Sequence, residues 1–351
     1  MPGNRKSKKQ RLLTGRTDRW WQDGISDQDT LAGGAGASRL MCESQTGTNM
    51  NGSNFVNLIS VCGSKDPQQL SREQVLDVLD THGVALIRDC EFDLDAFETF
   101  SGALCNDFHH VGTRVKLKAD TGDGYSTEVH RQNFTLLSHS EGTYRPWPPA
   151  PELCFFYCLS APAAKGGETT LVDGIQFLEA MPGRLLEQFT QSDIIYEMNW
   201  QPDRWQAEFQ VDNSSELEKL LNKHPGLQYE LSGEDLNLRY KTSAISQARC
   251  GRPAFANALL AHLPRITHPA YQQNKVYTKS SNHVYFENGE EISDEIINTL
   301  IDIQDKLMYL HEWRPFDLLV IDNTRFMHGR RMTIEDCERV LLSRFGSPGA
   351  G

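Results

Sequence analysis

Apolar positions along the chain change their period several times, and each change marks an element. Ahead of residue 54 there is no period: GGAGAS and SQTGTNMNGSN are runs of small and polar residues, a composition that buries too little apolar surface to order itself. From Ser71 the pattern turns helical. Ser-Arg-Glu-Gln-Val-Leu-Asp-Val-Leu opens on a capping hydroxyl and is closed by Gly83, which predicts a capped amphipathic helix. Val84–Arg88 reads as a short buried strand, and Asp93–Leu104 returns to a helical period. Leu153–Leu159 (LCFFYCL) is apolar, short and bounded by Pro151 and Pro162, so it predicts a strand. Thr169–Val172, Asp317–Asp322 and Arg339–Phe345 are further strand candidates. Residues 175–189, 203–224 and 292–312 place apolar side chains at helical spacing. No internal repeat divides the chain. The expectation is a basic, Gly- and Ser-rich disordered tail over residues 1–53 and a single catalytic-size domain over 54–347.

Composition narrows the classes. A chain of 351 residues that is 38% hydrophobic and 23% charged, with 16 Phe, 10 Tyr and 6 Trp, has the material for a sizeable core and excludes wholesale disorder. Lys plus Arg number 35 against 47 acids, a net charge of −12. Residues 1–19 carry seven basic side chains against Asp18 and sum to +6, so the remainder is −12 − 6 = −18. An acidic body disfavours nucleic acid as the partner of the main domain. The basic run is followed by Leu12-Leu13 and then polar residues, not by the apolar stretch of about seven residues that a secretory signal requires. The 8 cysteines form no CxxC and no zinc spacing, as in reduced intracellular thiols. The expected location is cytoplasmic, with nuclear import through the basic tail as the alternative; no membrane association is expected.

One histidine begins the pattern His-x-[Asp/Glu]: His139-Ser-Glu141. Alternate residues of an extended segment point the same way, and two His with one carboxylate are the ligand set of oxygen-activating non-haem iron. Alone the motif is weak, because 11 His among 47 acids in 351 residues give about 1.5 such pairs by chance. Its company is more specific. Gly166-Gly-Glu-Thr169 forms a turn, DNTRFMHGR ends a strand with His328, and Arg339 follows eleven residues later. An arginine there supplies the two-pronged cation that a dicarboxylic co-substrate requires.

These motifs resemble, over about residues 55–345, the taurine dioxygenase and clavaminate synthase-like superfamily of Fe(II), 2-oxoglutarate-dependent oxygenases, nearest its amino-acid hydroxylase-like branch related to syringomycin biosynthesis. The quoted segments are GVALIRD with the helix after it, HSEGTYRPWPPAPELCFFYCLSAPAAKGGETTLVDG, Trp205-Gln, Phe255-Ala-Asn257 and FDLLVIDNTRFMHGRR. The resemblance implies a mainly β fold with flanking helices, a double-stranded β-helix or distorted, cupin-like jelly roll. It implies His139, Glu141 and His328 as catalytic metal ligands, with Arg339 and Thr169 binding 2-oxoglutarate. It further implies Fe(II) as cofactor, 2-oxoglutarate and O2 as co-substrates, and hydroxylation of a small molecule with release of succinate and CO2. An amino acid, free or tethered to a carrier, is the substrate suggested by analogy. Arg344, Asn133, Arg131 and Asn257 are candidate substrate contacts, with Arg145 and Trp147 beside them. Desaturation, epoxidation or ring formation is the alternative outcome on the same metal, and a non-catalytic jelly-roll binding protein the alternative class; Glu141 argues against a halogenase, which lacks that carboxylate.

Overall fold

LCFFYC, residues 153–158, is apolar at every position because that part of the strand is covered on both faces, whereas Leu159 at its end is exposed. Eight strands make the frame: β1 Val84–Ile87, β2 Leu136–His139, β3 Leu153–Ser160, β4 Thr169–Asp173, β5 Tyr309–His311, β6 Leu318–Asp322, β7 Phe326–Arg330 and β8 Val340–Ser347. In the larger sheet β1, β6, β3 and β8 lie side by side and antiparallel. In the smaller one the order is β5-β4-β7-β2, again antiparallel. The computed structural model describes residues 70–348 apart from 89, 91, 110–123, 130–132, 162–165, 225, 273–275, 277, 279–281 and 334–338; ahead of residue 70 it describes strand residues between 43 and 60.

Side-chain alternation along β3 sorts the core into layers. Leu153, Phe155 and Tyr157 face outward against helices α1 (Arg72–His82) and α2 (Leu94–Leu104), where they meet Leu79, Phe97 and Leu104. Cys154, Phe156 and Cys158 face inward and meet Leu171 and Phe326 of the smaller sheet. Each fully buried large apolar side chain contributes about 1.5–3 kcal/mol. Beyond the smaller sheet lies a third layer, the helices α3 (Gly174–Ala180), α4 (Gly183–Gln191), α5 (Pro202–Phe209), α6 (Ser214–Leu221) and α7 (Asp294–Leu307) with an antiparallel sheet of residues 194–200, 227–232, 235–242 and 282–286. The mainly β, helix-flanked jelly roll expected from the sequence is the fold observed.

The early elements match their sequence signals. Ser71 caps α1 by accepting from Gln74 N, and Gly83 ends it at φ +79°; Asp93 caps α2. The expected helix over 175–189 is two, because Pro182 leaves the helical conformation and starts α4. The one over 203–224 also breaks, at Gln210 (φ +55°), before Asn213 caps α6. The helix over 292–312 stops at Leu307, since residues 309–311 pair with β4 instead. Strand pairing begins ahead of residue 54: Glu43–Ser44 pairs with Leu58–Ser60, which runs parallel to β1. Residues 1–39, with the basic run, lie outside the described residues.

Candidate metal centre and co-substrate pocket

Register brings the two histidines together. β7 pairs with β2 so that His328 stands opposite His139, with the pairing slipping between His328 and Arg330. The rings are 4.7 Å apart between centroids. The chain leaves the ladder after His139, and Glu141 turns back so that its Oε2 lies 3.8 Å from Nε2 of both His139 and His328. Gly142 follows at φ +73°, where a Cβ would stand 3.3 Å from the Ala150 backbone; a side chain there opposes that turn. Two donor atoms each about 2.1 Å from one ion are at most roughly 4.2 Å apart, so these separations suit a single ion among two imidazoles and one carboxylate. Among the described residues this is the one group of three or more His, Cys, Asp or Glu drawn together in that way.

Protonation favours the same reading. His139 Nδ1 donates to the Leu137 carbonyl at 3.0 Å, which leaves Nε2 as the lone-pair nitrogen facing the triad. Burial, then the neighbouring His139, push the His328 imidazolium down to about 3 against the pull of Glu141, so His328 is neutral across the physiological range, the form that can hold a metal.

The pocket around the triad is lined on the inner face by Phe156, Leu341 and Phe345, and at its polar end by Thr169, Arg330 and Arg339. Arg339 is 1% exposed and donates to the Gly167 carbonyl. Gly167 sits at φ +72° with Thr333 Cγ2 2.8 Å from where its Cβ would stand, so the GGET turn is shaped by glycine next to the guanidinium. Thr169 Oγ1 accepts from the Trp313 indole at 3.1 Å, and its own proton is then available to an anion in the pocket. Trp313 and Arg330 were not singled out by the sequence. Arg330 follows His328 by two residues on the same strand face, in register with Thr169, and burial followed by Arg339 lowers its pKa to about 10. The polar end therefore carries two guanidinium groups, the electrostatics an acidic co-substrate needs.

The substrate candidates fare differently. Arg339, Leu341, Ser343 and Phe345 line the pocket, and the pleat turns Arg344 to the other face. There it bonds Ser126 at 3.0 Å, lies 3.5 Å from Glu98 and stacks over Phe108. Its odd spacing from Arg339 is the reason. Asn257 is not a pocket group either: its amide donates to the Ala244 carbonyl and accepts from Leu259 N, shaping its own loop. Asn133 is exposed and does not line the pocket. Arg145 is buried in an ion pair with Glu208, Trp147 is at the surface beside His224, and Arg131 lies outside the described residues.

The model of the family described as "Taurine catabolism dioxygenase TauD, TfdA family" matches residues 63–345. Among curated proteins the chain is 25% identical over 271 residues, 74% of this chain and 82% of the other, to the dapdiamide synthesis protein DdaC of Enterobacter agglomerans. Among solved structures it superimposes on PvcB from Pseudomonas aeruginosa, an Fe, alpha-ketoglutarate dependent oxygenase from an isonitrile synthetic pathway, with TM-scores of 0.51 and 0.50 at 16% identity over 85% of this chain and 88% of that one. A taurine dioxygenase from Burkholderia xenovorans superimposes with a TM-score of 0.51 at 12% identity, over 84% of this chain and 88% of that one.

Proposed function

The chain belongs to the TauD, TfdA dioxygenase family, and from that premise we propose that it hydroxylates a small molecule, an amino acid or natural-product intermediate, free or tethered to a carrier. It is a 2-oxoglutarate-dependent dioxygenase, and Fe(II) is its cofactor. The observation that carries the site assignment is one pocket lined by His139, Glu141 and His328 together with Thr169 and Arg339.

Bound Fe(II) supplies the oxygen chemistry, with 2-oxoglutarate and O2 consumed, succinate and CO2 released, and a substrate C–H bond oxidised. The protein positions and shields. His139 and His328 would hold Fe(II) through ring nitrogens, and Glu141 would supply the one negative charge. Arg339 binds the far carboxylate of 2-oxoglutarate by a charge-assisted fork, and Thr169 donates its hydroxyl proton to the same group. Phe156, Leu341 and Phe345 keep water from the reacting centre. The role of DdaC in dapdiamide synthesis supports a natural-product substrate.

The test is succinate formation from 2-oxoglutarate by protein loaded with Fe(II), first without substrate and then across a metabolite panel. Stimulated turnover is expected with a subset of amino acids or their derivatives, with the added oxygen found in the product as hydroxyl. His139→Ala, Glu141→Ala and His328→Ala are each expected to abolish turnover; full turnover in chelated, metal-free protein refutes the assignment.

A further inference from the structure

Of the three triad residues, Glu141 is the one whose backbone no strand holds. His139 ends β2 and His328 lies within β7, so ladder hydrogen bonds fix both. Residues 140 and 141 have left the ladder, and their N–H groups bond elsewhere: Ser140 N donates to the Asn257 carbonyl and Glu141 N to the side chain of Asn323. A carboxylate carried on an untied peptide swings, and a metal site loses affinity when a ligand is not held in place.

We propose that Asn323 is a positioning residue for the metal, acting through Glu141. Its Oδ1 accepts from Glu141 N at 2.7 Å, and its Nδ2 donates to the Glu141 carbonyl at 3.0 Å and the Pro151 carbonyl at 2.8 Å. One carboxamide thus grips both polar groups of residue 141 as a paired strand would. Asn323 is itself fixed. It is 2% exposed, its own N–H donates to the Glu152 carbonyl, and it lies at the end of β6, three residues before β7 starts. The ties to residues 141, 151 and 152 close the loop from 142 to 150 at its base. They also join the carboxylate ligand to the turn that leads into the His328 strand.

The chemistry requires asparagine. The position must accept from one N–H and donate to two carbonyls, and a carboxamide does both. Aspartate has the same shape but no donor, and it would set a carboxylate against two carbonyl oxygens close to the metal's own carboxylate. Asp322 is occupied differently: its Oδ1 accepts from Thr324 N and Thr324 Oγ1, so the two neighbours do not exchange roles.

The inference rests on the triad being the metal site, and the experiment separates the two. Mn(II) affinity is measured by electron paramagnetic resonance on the metal-free full-length chain, its Asn323→Ala and Asn323→Asp variants, and His139→Ala as reference, with thermal melts of each metal-free protein. Parent protein that binds no Mn(II), or binds it equally well as His139→Ala, overturns the triad reading. Parent protein that binds while both Asn323 variants bind within about twofold of it overturns only this inference. The expected result is a dissociation constant raised about 10- to 100-fold in both variants, the range typical of lost outer ligand support, with a changed Mn(II) line shape. A purely structural role lowers the melting temperature and leaves the affinity of the folded fraction unchanged. Should neither variant fold, hydrogen exchange of the 137–145 peptide in the parent decides: slow exchange at the Glu141 amide supports the tie, and exchange at the rate of an open loop overturns it.

Discussion

Arg339 offers the sharpest quantitative test of the pocket. At 1% exposure a carboxylate bound to it would be desolvated, and hydrogen bonds to charged partners are worth about 1.5–3 kcal/mol each. Truncation to alanine removes the fork; a loss of about 3 kcal/mol corresponds to roughly 100-fold weaker 2-oxoglutarate binding. Arg339→Lys keeps the charge and loses the planar geometry, so about half of that energy, or roughly tenfold, is expected to go. Because Arg339 is not one of the three triad residues, turnover at saturating 2-oxoglutarate is expected to fall by no more than about threefold. Binding is read by oxygen-free equilibrium dialysis with Fe(II) present, and the apparent Michaelis constant by succinate formation. The two are compared because they coincide only when substrate dissociation outpaces chemistry. A dissociation constant within about threefold of the parent in Arg339→Ala refutes the assignment, as that is below 1 kcal/mol. A thermal melt controls for the Gly167 carbonyl, which the substitution leaves without this donor.

Three further outcomes follow from buried charge. Asp317 accepts a fork from Arg88 at 2.7 and 3.0 Å, with both side chains buried; Asp317→Asn strands the guanidinium and is expected to cost about 3–5 kcal/mol in urea unfolding, and a change under about 1 kcal/mol would show that the pair is not closed in solution. Burial pushes the Asp317 carboxyl up, but the neighbouring His311, its Nε2 3.3 Å away, and the fork from Arg88 more than offset it and leave its pKa lowered; its stabilisation is therefore present above the ordinary carboxylate range and lost as pH falls below it, an acid destabilisation that Asp317→Asn is expected to lack. Arg344→Met is expected to lower stability, through its contacts with Glu98 and Ser126, while leaving the 2-oxoglutarate and substrate Michaelis constants unchanged; selective loss of substrate affinity in the folded variant would return Arg344 to the pocket.

The parts of this molecule legible in the sequence are those where local and global signals coincide. Ser71, Gly83 and Asp93 cap the helices their positions announce, and residues 153–158 are apolar throughout because β3 has helices on one side and the smaller sheet on the other. The sheet of residues 194–200, 227–242 and 282–286 was missed. Its strand at 227–232 alternates between half-buried and exposed positions, so little apolar contrast marks it, and its neighbours' period competes with a helical reading. Arg344 was within reach, since an odd spacing along a strand predicts the opposite face. Asn323 stood inside a quoted motif, but its meaning depends on Glu141, 182 residues away, and no local pattern encodes that partner.

Fold and chemistry meet in how differently the three residues of the triad are held. β2 and β7 are adjacent strands, so the register that sets His328 opposite His139 is the same register that buries Leu137 and Met327 on the outer side; a slip by one residue would turn both sets over and empty the site. The histidines are thus secured by the whole core of the smaller sheet. Glu141 has no such support, and its position depends on a few side-chain hydrogen bonds, each worth about 0.5–1.5 kcal/mol net. The carboxylate is therefore the ligand most open to change with little effect on the fold, and substitutions that tune metal affinity without unfolding the chain are expected to cluster around Asn323 and Gly142 before they appear along β2 or β7.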